Sequence, residues 1–469
     1  MNKRLVIRGG QVVTPGGVIE NGTVLVEQGR IVGVVRAETP IWPDAEIYDA
    51  AGCLVFPGVV DPHTHILLDT GIYRTADNWE IGTRTAACGG VTTVIDFATQ
   101  FPGMTFEQAL ETRRKEAESA LIDYSFHMMI TDLPRDPVEA RRWLEALRDR
   151  GVSSIKLYTT YRPNYYADDA LLLHTLRALP DNMLTMVHCE NDAIVTDATK
   201  RLVEAGNTSW AYHGQARPPE AEVEAIRRVM YLAKIAEKPV YIVHCSTADS
   251  VRQVERAHRS GNWPPVYCET CPQYFVLDDS RYTAPNAEQF ILQPPLRPAD
   301  WQVDLIKAAP TLSAVSTDHC DYTLAQKQEY REFTRTPGGL PGLETAFALT
   351  YTYGVHKPEQ PLPLTELARL MSTEPAKLFG LYPRKGAIVP GGDADLLIYD
   401  PREAYTIKAE DMHTIGGYTS YAGMTVQGRI QSVMSRGEWL VKDGAWQAPT
   451  VGRGQFLKGA PFVPLGQGE

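Results

Sequence analysis

The sequence predicts an α/β protein, a (β/α)8 TIM-like barrel with a smaller β-sandwich domain built from both chain ends. Three observations predict it. Through the middle of the chain, apolar β-branched runs alternate with amphipathic helices, the pattern of a parallel sheet buried on both faces. Both ends carry short alternating runs cut by Gly and Pro turns. Ionisable residues recur where the middle strands end, the rim at which barrels place their chemistry.

The elements follow in order. Leu5-Val6-Ile7, Gln11-Val12-Val13, 23–26 and 30–35, separated by Pro15-Gly16-Gly17 and Asn21-Gly22, read as a small antiparallel unit. Eight strands are then expected at 54–60, 92–97, 124–130, 154–158, 184–188, 240–244, 265–269 and 314–317. Helices are expected at 106–119, 137–150, 220–237, 248–259 and 364–378; the third places Val223, Ile226, Met230 and Ala233 on one face. A doubly wound sheet fits less well, because no Gly-rich phosphate loop follows the first strand. After Gly386 the β-pattern returns in Leu396-Leu397-Ile398-Tyr399, Ile430–Met434 and Glu438–Lys442. The expected domains are 1–55 with 385–460 for the sandwich and 56–384 for the barrel, with 461–469 as a loose tail.

Bulk properties narrow the function. The net charge of -11 argues against a nucleic-acid binder, which would need a basic face. No run of 18 apolar residues exists to span a membrane. The first residues are charged and then strand-like, without the apolar core of an export signal, and the seven cysteines are scattered. A reducing cytoplasm with free thiols is the expected setting. Cys268-Glu269-Thr270-Cys271 lacks the second pair of a zinc ribbon and reads as structural.

The rim carries the chemistry. Asp61-Pro62-His63-Thr64-His65 closes the first barrel strand, and alternation points both imidazoles the same way. Strand four carries Lys156, strand five ends in His188, strand six in His244, and strand eight in Asp318. Buried ionisable groups are costly unless paired or bound to metal, so this set at one rim reads as a metal centre. Lys156 cannot ligate as an ammonium. It reads either as an ion pair to Asp318 or as an N-carboxylated lysine, formed from the neutral amine that burial beside cations favours. His319 would point away from the rim and reads as structural.

The chain resembles the cyclic amidohydrolases, specifically the dihydropyrimidinase/hydantoinase branch. The resemblance rests on Asp61–His65, Gly151–Tyr158, His188-Cys189-Glu190-Asn191, Glu269–Tyr274, Pro294-Pro295-Leu296-Arg297, Ser316–Cys320, Pro341–Glu344 and Gly452–Phe456, and runs nearly end to end. It implies two Zn2+ ions, one on His63, His65 and Asp318, the other on His188 and His244, bridged by N6-carboxylated Lys156 and a hydroxide. It implies Asp318 as general base and then acid, and Tyr161 as the donor to the oxyanion. The substrate it implies is a small cyclic ureide or imide, a 5-substituted hydantoin or dihydropyrimidine ring, opened to an N-carbamoyl amino acid. It also implies a homo-oligomer, a tetramer or dimer.

Two substrate-side positions depart from the branch. Gln293 stands where a serine commonly precedes the Pro-Pro pair, and Gly338 where an asparagine is usual. Both speak against simple dihydrouracil. Loops 66–76, 99–105 and 162–168, with Leu67, Leu68, Ile72, Tyr73, Phe101, Met104, Tyr165 and Tyr166, are expected to receive an apolar or aromatic 5-substituent, or else to pack against a neighbouring subunit. Allantoin-type ureides remain an alternative substrate. A non-catalytic scaffold of this fold is the alternative of another class, opposed by the presence of all the expected ligand positions.

Overall fold

The structure, a computed structural model, describes residues 4–36, 42–357 and 362–466. Eight parallel strands in sequence order form the barrel sheet. They are β1 (Val59–Thr64), β2 (Val91–Thr99), β3 (Asp123–Met129), β4 (Ser154–Tyr158), β5 (Leu184–His188), β6 (Val240–Ile242), β7 (Val266–Thr270) and β8 (Ala314–Val315). The ring closes beyond β8, where Thr64 bridges His319 and the His65 amide donates to the His319 carbonyl at 2.7 Å. Thr317 seals the same seam, its hydroxyl donating to Asp61 Oδ2 at 2.6 Å.

Local sequence explains the helices between strands. Asn78, Thr105, Asp136, Asp168, Asn191 and Thr247 each accept a backbone N–H from the first turn of the helix that follows. Helix Pro219–Ala236 starts with proline at its first turn and buries Ala225, Ile226, Val229, Met230 and Ala233. The expected helix 364–378 is instead broken by a π-helical turn, Arg369–Thr373. Pro375 has no N–H to return to the Met371 carbonyl, so the ladder widens there.

The predicted strand 54–60 is two strands. Leu54–Pro57 belongs to the terminal sheet, pairing with Gln11 and Val12 on one side and Leu396–Tyr399 on the other, and the barrel begins only at Val59. Gly58 makes the switch, because a Cβ there would overlap the Thr92 side chain. Among the described residues the terminal sheet has nine strands, mostly antiparallel, running from Ala445–Trp446 through Leu396–Thr406 and Arg4–Thr14 to Arg30–Arg36. Its Arg30–Arg36 edge curls back onto the segment leading into Leu396–Thr406, since the Ile31 amide donates to the Gly392 carbonyl and Val24, Val26, Leu396, Ile398 and Met434 share one core.

Barrel and sheet meet at a buried charge cluster. Lys385 Nζ donates to Asp123 Oδ2 and Asp395 Oδ2, both at 2.7 Å, and lies 3.0 Å from Asp393. The expected loose tail is anchored by Phe462 and Leu465, while Pro461, Val463 and Gly466 are exposed. Phe462 is buried against the Tyr267 ring and its amide donates to the Asn182 carbonyl, because this apolar side chain covers the N-terminal end of the barrel. Residues 467–469 lie outside the described residues. Among the described residues no helix is long and apolar enough to cross a membrane.

Candidate metal centre

The rim residues converge on one cavity of about 610 Å³. His63 Nε2 and His65 Nε2 each lie 3.2 Å from Asp318 Oδ1. Lys156 Nζ is 3.5 Å from His63 Nε2. His188 Nδ1 and His244 Nε2 are 2.8 Å apart, and the His63 and His244 rings stack with centroids 5.5 Å apart. Strand ends deliver them: His63 from β1, Lys156 from β4, His188 from β5, with His244 and Asp318 just beyond β6 and β8. Tyr161, His244 and Asp318 all hold positive φ, at +75°, +37° and +48°. Such backbone is costly for a side-chain-bearing residue and persists at sites that need an unusual direction.

Buried carboxylates orient the imidazoles. Glu269, at the end of β7, meets His63 Nδ1 at 2.5 Å and also accepts from the Tyr241 hydroxyl and the His244 amide. Glu190 meets His188 Nε2 at 2.7 Å and Arg217 Nη1 at 2.5 Å. Each carboxylate fixes a tautomer and leaves the other ring nitrogen facing the cavity. Sequence reading missed Glu269, Glu190 and Arg217 as partners. The expected strand 265–269 ends on Glu269 itself, so the rim rule that found Lys156 and Asp318 applies to it equally.

Burial sets the protonation. It pushes His63, His188 and His244 below the usual imidazole range, so they stay neutral. Burial likewise brings Lys156 down to about 8, against the pull of Asp318 and Glu269. Among the described residues no carboxylate lies within ion-pair distance of Lys156, so the expected alternative of a pair to Asp318 is not formed. Burial would raise Asp318, but His63, His65 and Lys156 outweigh it and hold the carboxyl below its ordinary value. Neutral imidazoles and an ionised carboxylate are donors suited to a divalent cation, and a lysine brought down to about 8 gives up its proton far more readily than an ordinary one. One ligand atom from each of His63, His65 and Asp318 lies within 4.8 Å of the others.

The outer wall differs in part from expectation. Leu68, Ile72, Tyr73 and Tyr165 line the cavity, and Tyr161, Gln293 and Gly338 do too. Leu67, Phe101, Met104 and Tyr166 do not; Leu67 and Met104 pack on the core instead. Tyr322, Tyr330 and Arg335 complete the wall from the long connection after β8, which has no periodicity to reveal it. Gln293 and Gly338 touch: a Cβ on Gly338 would overlap the Gln293 carboxamide. His319 faces away from the cavity, as expected, and its Nδ1 accepts from the Gly342 amide at 3.2 Å. Cys268 and Cys271 are buried free thiols.

Fold and site together define a metal-dependent barrel hydrolase. The sequence pattern of the amidohydrolase family matches residues 54–440. A D-phenylhydantoinase of Escherichia coli O81 (strain ED1a) is 40% identical, over 98% of this chain and 99% of its own. The structure of a dihydropyrimidinase from Brevibacillus agri NCHU1002 superposes with a TM-score of 0.93 at 35% identity, covering 98% of this chain and 99% of that one. A D-hydantoinase from Bacillus sp. AR9 gives 0.91 at 36%, covering 98% and 100%. The chain belongs to the cyclic amidohydrolases, in the dihydropyrimidinase/hydantoinase branch, and is a hydrolase acting on cyclic amides with a divalent metal centre.

Proposed function

We propose that the protein opens a 5-substituted hydantoin or dihydropyrimidine ring to an N-carbamoyl amino acid. The observation that carries this is the convergence of His63, His65, Lys156, His188, His244 and Asp318 beneath a wall of Leu68, Ile72, Tyr73 and Tyr165. We assign His63, His65 and Asp318 to one zinc ion and His188 and His244 to a second, with N6-carboxylated Lys156 between them. The name of the 40%-identical D-phenylhydantoinase supports an aryl group at position 5.

A metal pair held by these residues would supply Lewis acidity to the scissile carbonyl and lower the pKa of a water molecule toward neutrality. Asp318, ionised and beside two imidazoles, takes the proton from that water and passes it to the ring nitrogen as the C–N bond breaks. The Tyr161 hydroxyl, which burial keeps protonated, donates to the carbonyl oxygen as negative charge develops there. Its ring is held between His188, at 4.9 Å, and the Arg217 guanidinium, at 5.3 Å. The Gln293 carboxamide, lying over Gly338, hydrogen-bonds the ring edge and does the work of the asparagine the branch usually carries at 338. The apolar wall takes the 5-substituent and keeps water from it. The protein works in the cytoplasm, a reading its free thiols support, as a homo-tetramer or dimer measurable by light scattering.

The test is kcat/KM on dihydrouracil, hydantoin, 5-phenylhydantoin and allantoin, with zinc counted in the same preparation. 5-Phenylhydantoin should exceed dihydrouracil by about tenfold or more, roughly 1.4 kcal/mol. Fastest turnover of allantoin, or full activity without metal, overturns the reading. Lys156→Ala should lose both metal and turnover and regain part of each with added short carboxylic acids; normal turnover in that variant removes the bridging role.

A further inference from the structure

A second cluster of metal-ligating side chains lies outside the catalytic cavity. Cys88 ends the helix Trp79–Cys88, Glu344 follows the long connection after β8, and His413 stands between the terminal-sheet strands Leu396–Thr406 and Thr425–Ser435. One ligand atom from each lies within 4.8 Å of the others, and none of the three lines the catalytic cavity. Glu344 spends both oxygens on His413, accepting from its amide at 2.8 Å and meeting Nδ1 at 2.7 Å. That bond puts the ring proton on Nδ1 and leaves the Nε2 lone pair facing Cys88 Sγ, 3.8 Å away.

We propose that Cys88 and His413, with Glu344 behind the imidazole, form a site for a single zinc-class divalent cation that ties the barrel to the terminal sheet. A metal about 2.3 Å from sulfur and about 2.0–2.1 Å from nitrogen subtends the observed 3.8 Å at an angle of roughly 120°. Thr85, one turn before Cys88, has a buried hydroxyl without a partner among the described residues. It lines, with Glu344 and Thr414, a cavity of about 10 Å³, and the remaining positions around a cation held by Cys88 and His413 would be taken by water.

The same facts argue against a Cys-His-acid nucleophile. Burial pushes the Cys88 thiol well up, and Glu344 adds to that against the pull of Arg84, so a protonated thiol faces His413 when no metal is bound. A cation forms the S–metal bond as the thiol proton leaves to solvent, with no change in oxidation state.

The experiment uses the purified holoenzyme. Metal per chain is counted in wild type, Cys88→Ser and His413→Gln, and Co2+ is then titrated into each while the near-ultraviolet thiolate-to-cobalt charge-transfer band is followed. The proposed catalytic ligands include no cysteine, so a band dependent on Cys88 reports this site alone. Expected is either a stoichiometric band in wild type or one zinc more per chain than in Cys88→Ser. Both variants should bind at least tenfold more weakly, with hydrolysis of 5-phenylhydantoin unchanged. Absence of both signals in wild type overturns the proposal, and so does a band or extra metal that survives both substitutions, since that is surface binding. Hydrolysis, measured separately, keeps this outcome independent of the catalytic assignment.

Discussion

At the scale of single residues, the centre depends on charges buried in matched sets. Glu190 is fully buried and yet held at about 2; burial alone would raise it, but Arg217 and His188 pull it down. Its folded pKa lies below the ordinary carboxylate value of about 4.3. The stability it contributes is therefore fully present above about pH 4.3 and lost as the pH falls toward 2. Thermal midpoints measured across that window should fall more steeply in wild type than in Glu190→Gln. Arg217→Met should cost about 3–5 kcal/mol in urea unfolding, because it strands a buried carboxylate. The rim residues were legible in the sequence because each ends a β-branched run whose alternation fixes its direction. Arg217 was not, since it lies 27 residues from Glu190 in a segment with no regular pattern.

At the scale of elements, two segments of the cavity wall meet. The turn at Gly338 and the segment at Gln293 interlock through one carboxamide. Gly338→Asn alone should collide with Gln293 and lower kcat/KM by about 100-fold, roughly 2.7 kcal/mol. Gln293→Ser alone should lose about 1–3 kcal/mol of ring binding, seen mainly in KM. The double variant should recover to within about tenfold of wild type, because the carboxamide returns from the opposite side. Sequence alone showed both departures but not that they touch, since Gln293 and Gly338 meet only in space. The same limit hid the division at Gly58: Leu54–Pro57 and Val59–Thr64 are one apolar run in sequence, and only the Thr92 side chain and the Leu396–Tyr399 partner separate them.

At the scale of the whole molecule, Lys385 joins what the chain order keeps apart. It neutralises Asp123 of the barrel and Asp393 and Asp395 of the terminal sheet, while the Gln455 amide donates to Asp123 from the far end of the chain. Lys385→Met should cost about 3–5 kcal/mol in calorimetric unfolding, while turnover at low temperature stays near wild type, because the cluster lies away from the catalytic cavity. The overall architecture was legible because strand and helix periods differ; the anchored tail was not, because Phe462 carries no pattern beyond its own hydrophobicity. The split of the terminal sheet between the chain ends also governs how the protein is made. Leu54–Pro57 leaves the ribosome with Gln11 and Val12 already available on one side, but its other edge is completed only by Leu396–Tyr399. At about 5–20 residues per second the intervening chain takes roughly 20–70 s to synthesise. For that interval the nascent protein presents an apolar, unpaired strand edge, the kind of surface that recruits chaperones or other nascent chains. Expression yield should therefore respond to translation rate and chaperone supply more than to the stability of the finished enzyme.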